Sequence, residues 1–244
     1  LILGHGGLAH SRWFDAIATL LANDYHLVCP DLPGHGHSSW LKTYHTQDFL
    51  NYFTALVAYY QPYALIAHSL SAKICYRLRP QLLPWSQRLI LLDPPPREFS
   101  MLNSMTMPYR SVKYYESEQA ILDRFRILPD QPAVNPDIQH TVAKESIAHT
   151  PGKGYHWLFD PNFWRHFSFK LEDLPAAHIS TSATQTALIY GEKTSITTDA
   201  VRHDYQKHCP HLTIHPIANA YHALMLDQPQ ALASLIKHQL ALFT

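Results

Sequence analysis

Cysteine is scarce in this chain of 244 residues, with Cys29, Cys75 and Cys209 scattered along its length. Three thiols so placed cannot build a disulfide framework, and two of them fall in elements that read as core, so a reducing, cytoplasmic compartment is the expectation. Net charge is lacking too, since 19 Lys and Arg stand against 19 Asp and Glu. No polybasic face is implied, and neither nucleic acid nor an anionic membrane is an expected partner. There is no apolar run of membrane-spanning length, no legible signal peptide, no internal repeat and no low-complexity tract. The chain opens in mid-strand at Leu1-Ile2-Leu3 without an initiator methionine, which leaves room for an export signal or further strands upstream. What is abundant is histidine, 18 in all. Because histidine ordinarily titrates just below neutrality, most of these are expected on solvated surface, and the chain should turn cationic in mild acid.

A chain of this length can bury a substantial core as one α/β sheet with an insertion. Its pivotal stretch runs from Tyr63 to Cys75. Ala64, Leu65, Ile66 and Ala67 form an unbroken apolar run that suits a strand buried on both faces, and Ile74 and Cys75 continue at helical spacing. Ser69 stands at the corner. Ala67 and Ser71 flank it two positions away, where a tight strand-turn-helix elbow usually carries glycine. A serine on such a corner is held over the sheet, with the free N–H groups of a helix N-terminus beneath it, although serine is also a common plain helix cap.

Around this elbow, short apolar strands alternate with amphipathic helices. Leu1-Ile2-Leu3 runs into Gly4-His5-Gly6-Gly7, and Ser11 is expected to cap a helix with Phe14, Ile17, Ala18 and Leu21 on one face. Leu27-Val28-Cys29 reads as the next strand, closed by Pro30 and a long turn from Asp31 to Ser38. A helix from Thr46 carries Phe49, Phe53, Leu56, Val57 and Tyr60 as its stripe. After the elbow, Arg88 to Leu92 and Thr186 to Tyr190 read as strands, Thr198 to His208 as a helix, Leu212 to Ile214 as the last strand, and a final helix carries Leu232, Leu235, Ile236, Leu240 and Phe243. This alternation implies a mostly parallel, doubly wound sheet. Between Arg97 and Ala177 the rhythm breaks. That stretch is rich in Tyr, Trp and Phe, shows no plain strand, and reads as a mostly helical insertion.

The ordered set His5-Gly6-Gly7, Asp31 to Ser38, Ala67-His68-Ser69-Leu70-Ser71 and His222 resembles the α/β-hydrolase superfamily over nearly the whole chain. The resemblance implies a core of residues 1–96 and 178–244, a helical lid of residues 97–177, and two antiparallel strands ahead of Leu1. It implies Ser69 as nucleophile, His222 as general base, and the N–H groups of Gly7 and Leu70 as an oxyanion hole. An aspartate, not a serine, would stand at the elbow of a halide-removing member. The departure is in the acid. Most members place it three residues after the glycine that here is Gly191, and that position is Thr194. Asp93, ending the preceding strand, is the preferred acid, and Glu192 is the alternative. In the insertion, Arg124, Trp157 and Phe159 are the candidate substrate contacts. Arg124 and Arg126, two apart on a helix, would face different sides. His35 and His37 lack a third ligand in sequence, so neither a metal nor any other cofactor is expected. The expected partner is a small molecule, and oligomeric state is left open. The activity implied is hydrolysis of a small to medium apolar ester, thioester or related acyl compound, with carbon–carbon cleavage as a close variant. A non-catalytic ligand-binding protein on the same fold is the rival.

Overall fold

In a computed structural model, which describes residues 1–82, 88–97, 108–132, 134–168 and 185–243, five apolar runs become the parallel strands of one sheet. They are β1 (Ile2–Gly4), β3 (Leu65–His68), β4 (Arg88–Leu92), β8 (Gln185–Gly191) and β9 (Thr213–Ile217), in that spatial order. Successive side chains on a strand point to opposite faces, and both faces are buried. Ile66, Ile90, Leu92, Ala187 and Ile189 pack into one core beneath α1 (Asp15–Leu21) and α9 (Pro229–Leu242). Leu65, Ala67, Leu89, Leu91 and Leu188 pack into the other beneath α2 (Thr46–Tyr60), α3 (Leu70–Leu82) and α7 (Asp199–His208). Each fully buried Leu or Ile is worth about 1.5–3 kcal/mol, so two-sided burial rather than propensity holds the strands in register.

Two expectations need correction. Leu27-Val28-Cys29 forms no strand but a single parallel bridge, with Leu3 N–H donating to Val28 O and Val28 N–H to Leu1 O, both at 2.9 Å. It lies beyond β1, has a short partner, and Pro30 has no N–H to extend the ladder. Ser11 caps no helix. It opens a 3-10 turn, Ser11–Phe14, and its N–H donates to Asp31 Oδ1 at 2.7 Å. The same carboxylate accepts the His37 N–H at 2.9 Å, tying the loop after β1 to the turn that follows Pro30.

The expected insertion contains α4 (Glu118–Leu122), α5 (Pro136–Glu145) and α6 (Phe163–His166). Between them lies an antiparallel hairpin that its sequence did not make plain, β5 (Ile147–Thr150) with β6 (Gly154–Trp157). Its second boundary, near Ala177, falls outside the described residues. The segment is fastened at several points. β7 (Phe167–Ser168) pairs in parallel with β2 (Tyr44–His45), and Tyr44 OH donates to Asp160 Oδ2 at 2.7 Å. Phe163 is fully buried with Tyr44 and Phe49, and His10 Nε2–H donates to Ser146 Oγ at 2.8 Å. His35 packs edge-on to Phe163, with centroids 4.4 Å apart, while His37 is exposed, so the two do not converge.

Candidate active site

Ser69 joins β3 directly to α3 with φ at 50°, a left-handed conformation that is strained for a residue bearing Cβ. Its own backbone locks it there, since Ser69 N–H donates to Leu92 O and Ser69 O accepts the Lys73 N–H, both at 3.0 Å. The close approach that glycines usually permit at such a corner is met from the opposite side. A Cβ on Gly4 would lie 2.9 Å from Ser71 Cβ, and a Cβ on Gly6 would lie 3.1 Å from Ser69 Cβ. Ser71 itself faces inward, its hydroxyl donating to His5 O at 2.6 Å.

His222, on the loop before α8 (Leu224–Asp227), reaches the serine. Its Nδ1 lies 2.6 Å from Asp93 Oδ2 and its Nε2 3.0 Å from Ser69 Oγ. A carboxylate only accepts, so Nδ1 carries the proton and Nε2 turns its lone pair to the hydroxyl. Asp93 is fully buried and turned back at φ 43°. It also accepts the Thr194 hydroxyl at 2.7 Å and the Gly191 N–H at 3.1 Å. Glu192 is exposed and accepts the Asn219 N–H at 3.3 Å instead.

The loop that carries His222 is held residue by residue. His68 Nε2–H donates to His222 O at 3.0 Å, with the two rings 4.7 Å apart. Burial first, and then the His222 ring, hold the His68 pKa well below the usual histidine value, so it remains a neutral donor. On either side, Tyr221 N–H donates to Asp227 Oδ2 at 2.8 Å and Ala223 N–H to Gln131 Oε1 at 3.1 Å. Gln131 Nε2–H in turn donates to Asp227 Oδ1 at 3.1 Å, and burial pushes the Asp227 carboxyl up to about 6. Nothing in the sequence marks His68, Gln131 or Asp227 for the parts they play in holding this loop. Only Thr194 carried a signal, by standing where an acid was expected.

Over Ser69 lies a cavity of about 280 Å³. Gly6 to Ala9, Trp13, His68, Leu70, Pro95, Ile196 and His222 line it from the core, and Leu128, Pro129, Trp164 and Phe167 from the insertion. Leu70 opens α3, so its N–H is a first-turn donor with no intrahelical acceptor. Gly7 is crossed closely by the Trp164 ring, which a Cβ there would strike at 2.4 Å. Arg124, Trp157 and Phe159 do not line this cavity. With Arg126 they surround an adjoining hollow of about 180 Å³ that shares Gly7, Leu8, Trp13 and Leu128 with it. Both arginines follow the end of α4, so helical geometry does not separate them, and both are exposed at the rim. Among the described residues no group of three or more His, Cys, Asp or Glu is placed to hold a metal, and no helix is long and apolar enough to cross a membrane.

The alpha/beta hydrolase family model matches residues 1–235, nearly the whole chain. The chain belongs to this family. Among solved structures, an esterase of Mycobacterium tuberculosis superposes with a TM-score of 0.80 at 21% identity, covering 98% of this chain and 84% of that one. The thioesterase domain from the curacin biosynthetic pathway superposes with a TM-score of 0.78 at 22% identity, covering 97% and 90%. At such identities these likenesses speak for the fold alone. The 3-hydroxybutyrate-oligomer hydrolase of Cupriavidus necator is 46% identical over 41 residues, a stretch spanning 17% of this chain and 14% of that relative.

Proposed function

We propose that this family member is a serine hydrolase that opens a small to medium apolar ester, thioester or related acyl compound through an acyl-enzyme, with hydrolysis of a carbon–carbon bond as a close variant. The observation that carries the reading is the unbroken chain from Ser69 Oγ through His222 to Asp93, at 3.0 and 2.6 Å. His222 Nε2 takes the hydroxyl proton as Oγ bonds to the substrate carbonyl carbon, and then returns it to the departing alcohol, thiol or carbanion. Asp93 keeps the imidazole in the tautomer that permits this and stabilises the imidazolium. The N–H groups of Leu70 and Gly7 face the oxyanion, and water activated by His222 releases the acid in a second passage. Residues 97–177 act as a lid, contributing Leu128, Pro129, Trp164 and Phe167 to the cavity walls, while Arg124, Trp157 and Phe159 receive the part of the substrate that extends past Trp13. The esterase and thioesterase named above carry the same fold, and an acyl substrate is in keeping with it. Thr194 at the usual acid position would favour a non-catalytic binding protein, but the bond from Thr194 to Asp93 weighs against that reading.

The test is covalent labelling with a fluorophosphonate, followed by a series of p-nitrophenyl esters of increasing chain length. Wild-type protein should label at one serine and Ser69→Ala should not label while remaining folded. Equal labelling of the variant moves the nucleophile elsewhere, and an unlabelled wild type removes the serine-hydrolase reading.

A further inference from the structure

The peptide that joins His222 to Ala223 is held from two directions. Its carbonyl accepts the His68 Nε2–H from the core at 3.0 Å, and its N–H donates at 3.1 Å to the amide oxygen of Gln131, which belongs to the insertion. The nitrogen of the same amide lies 3.1 and 3.2 Å from the two carboxylate oxygens of Asp227, and Asp227 accepts the Tyr221 N–H at 2.8 Å. The N–H groups on either side of His222 therefore end on one joined pair of side chains. Only 4% of Asp227 is exposed, so its charge depends on such donors. Gln131 suits the place because a primary amide accepts and donates at once, which neither a carboxylate nor an apolar side chain of the same length does. It comes two residues after Pro129, and Leu128 and Pro129 line the cavity over Ser69. The stretch from Leu128 to Gln131 thus touches both the cavity and the loop that carries the candidate base.

Building on the serine-hydrolase reading, we propose that Gln131 is a positioning residue, through which the insertion sets the His222 imidazole against Ser69. Gln131 lines neither of the two hollows and acts instead on the backbone from which the imidazole hangs. A displacement of about 1 Å in such a group costs on the order of a hundredfold in rate, so holding this loop matters as much as the residues that touch the substrate. The insertion is then more than a wall of the cavity, because the base is in register with the nucleophile only while Gln131 is docked on the loop.

Two variants test this with p-nitrophenyl acetate and hexanoate. Gln131→Met keeps the length and removes both bonds, and should lower kcat and kcat/KM alike by roughly ten- to a hundredfold for both esters, with KM little changed. Gln131→Glu keeps the acceptor for the Ala223 N–H but sets a second carboxylate against Asp227. Burial already raises the Asp227 carboxyl to about 6, and a like charge raises it further. As pH falls from about 8 to about 6 the pair therefore takes up one shared proton and the lost donor returns. Turnover of Gln131→Glu relative to wild type should rise over that range. His222 and Asp93, the titratable groups that act on Asp227, are the same in both proteins and cancel in the ratio. On the elements packed against α8, Arg12 is paired with Asp15 and Lys237 with Asp24. An unchanged kcat in Gln131→Met, a loss confined to KM or to the longer ester, or a ratio that is flat with pH overturns the proposal. If thermal melting shows that Gln131→Met does not fold, the pH dependence of Gln131→Glu decides. Should the wild type turn over neither ester, the hydrolase reading fails, and the placement of His222 is read from the NMR signal of its Nδ1 proton, which lies in the 2.6 Å bond to Asp93. That signal should be sharp in the wild type and broadened by exchange in Gln131→Met, and equal spectra overturn the proposal.

Discussion

Mild acid should unfold this protein, and the buried histidines set how steeply. His5, His10, His35 and His68 are all buried. Burial is the first cause in each case, and it lowers His5 to about 3, His10 and His35 to about 4, and His68 well below the usual 6.5. Their stabilising contribution is complete above 6.5 and is lost as pH falls below that value, because the unfolded chain binds protons that the folded one refuses. Asp227 has the opposite sign. Raised from 3.8 to about 6, it takes up a proton in the folded state first and so offsets one histidine near pH 5. The difference is then three protons, at 1.36 kcal/mol per pH unit each, or about 4 kcal/mol per pH unit. A domain has only about 5–15 kcal/mol in total, so the loss over a unit or two is decisive. Urea midpoints followed by fluorescence at pH 7.5, 6 and 5 measure the slope. His35→Phe gives a control, because His35 Nε2 has no hydrogen-bond partner among the described residues and its ring packs on Phe163 at 4.4 Å. That variant should lose about a third of the slope near pH 5. Stability that is flat from pH 7.5 to 5, or a slope unaltered in His35→Phe, refutes the reasoning.

Asp93→Asn should keep the shape of the site but favour the wrong imidazole tautomer, costing on the order of ten-thousandfold in turnover, as in a well-studied triad. Glu192→Gln should cost little, and the reverse order in steady-state assays would move the acid to Glu192. Thr194→Val removes one donor from the Asp93 carboxylate, a charge-assisted bond worth about 1.5–3 kcal/mol, and should slow ester turnover by roughly ten- to a hundredfold. Thr194→Ser should recover most of that loss, and a Thr194→Val enzyme as fast as wild type would make the hydroxyl incidental. Gly191→Ala should disable the protein although Gly191 touches no substrate, because its Cβ would come within 2.1 Å of Tyr221 O and 2.6 Å of Ala220 O, just ahead of His222. Thermal melting together with activity checks this, and a variant that melts and turns over like wild type would show that the His222 loop can shift.

The strands could be read from sequence because a parallel strand covered on both faces is apolar throughout, as Leu89 to Leu92 and Ala187 to Ile189 are. Leu27 to Cys29 has the same composition and yields only a bridge, since composition does not report how many neighbours a strand will find. The β5–β6 hairpin had a local signal in Pro151-Gly152-Lys153-Gly154, where Gly152 and Gly154 take φ of 76° and 105°. Aromatic content, the stronger signal there, says that a segment packs but not in what form. Arg124 and Arg126 would face different sides only on a helix, and α4 ends at Leu122.

The carboxylate beside His222 shows where sequence reasoning stops. Asp93 and Glu192 end neighbouring parallel strands at the same edge of the sheet, and either side chain is of a length to approach an imidazole there. What separates them is the path of the backbone after each strand. Asp93 turns back at φ 43° into the interior, where Gly191 and Thr194 donate to its carboxylate, while Glu192 continues outward to the Asn219 N–H. Thr194, which in sequence counts against a complete triad, is thus bonded to the carboxylate that lies beside His222. The position after β8 retains a polar side chain in the same hydrogen-bond network, but as a donor to the carboxylate that follows β4. No pattern along one strand could show this, because the exchange is made between two strands about a hundred residues apart in sequence.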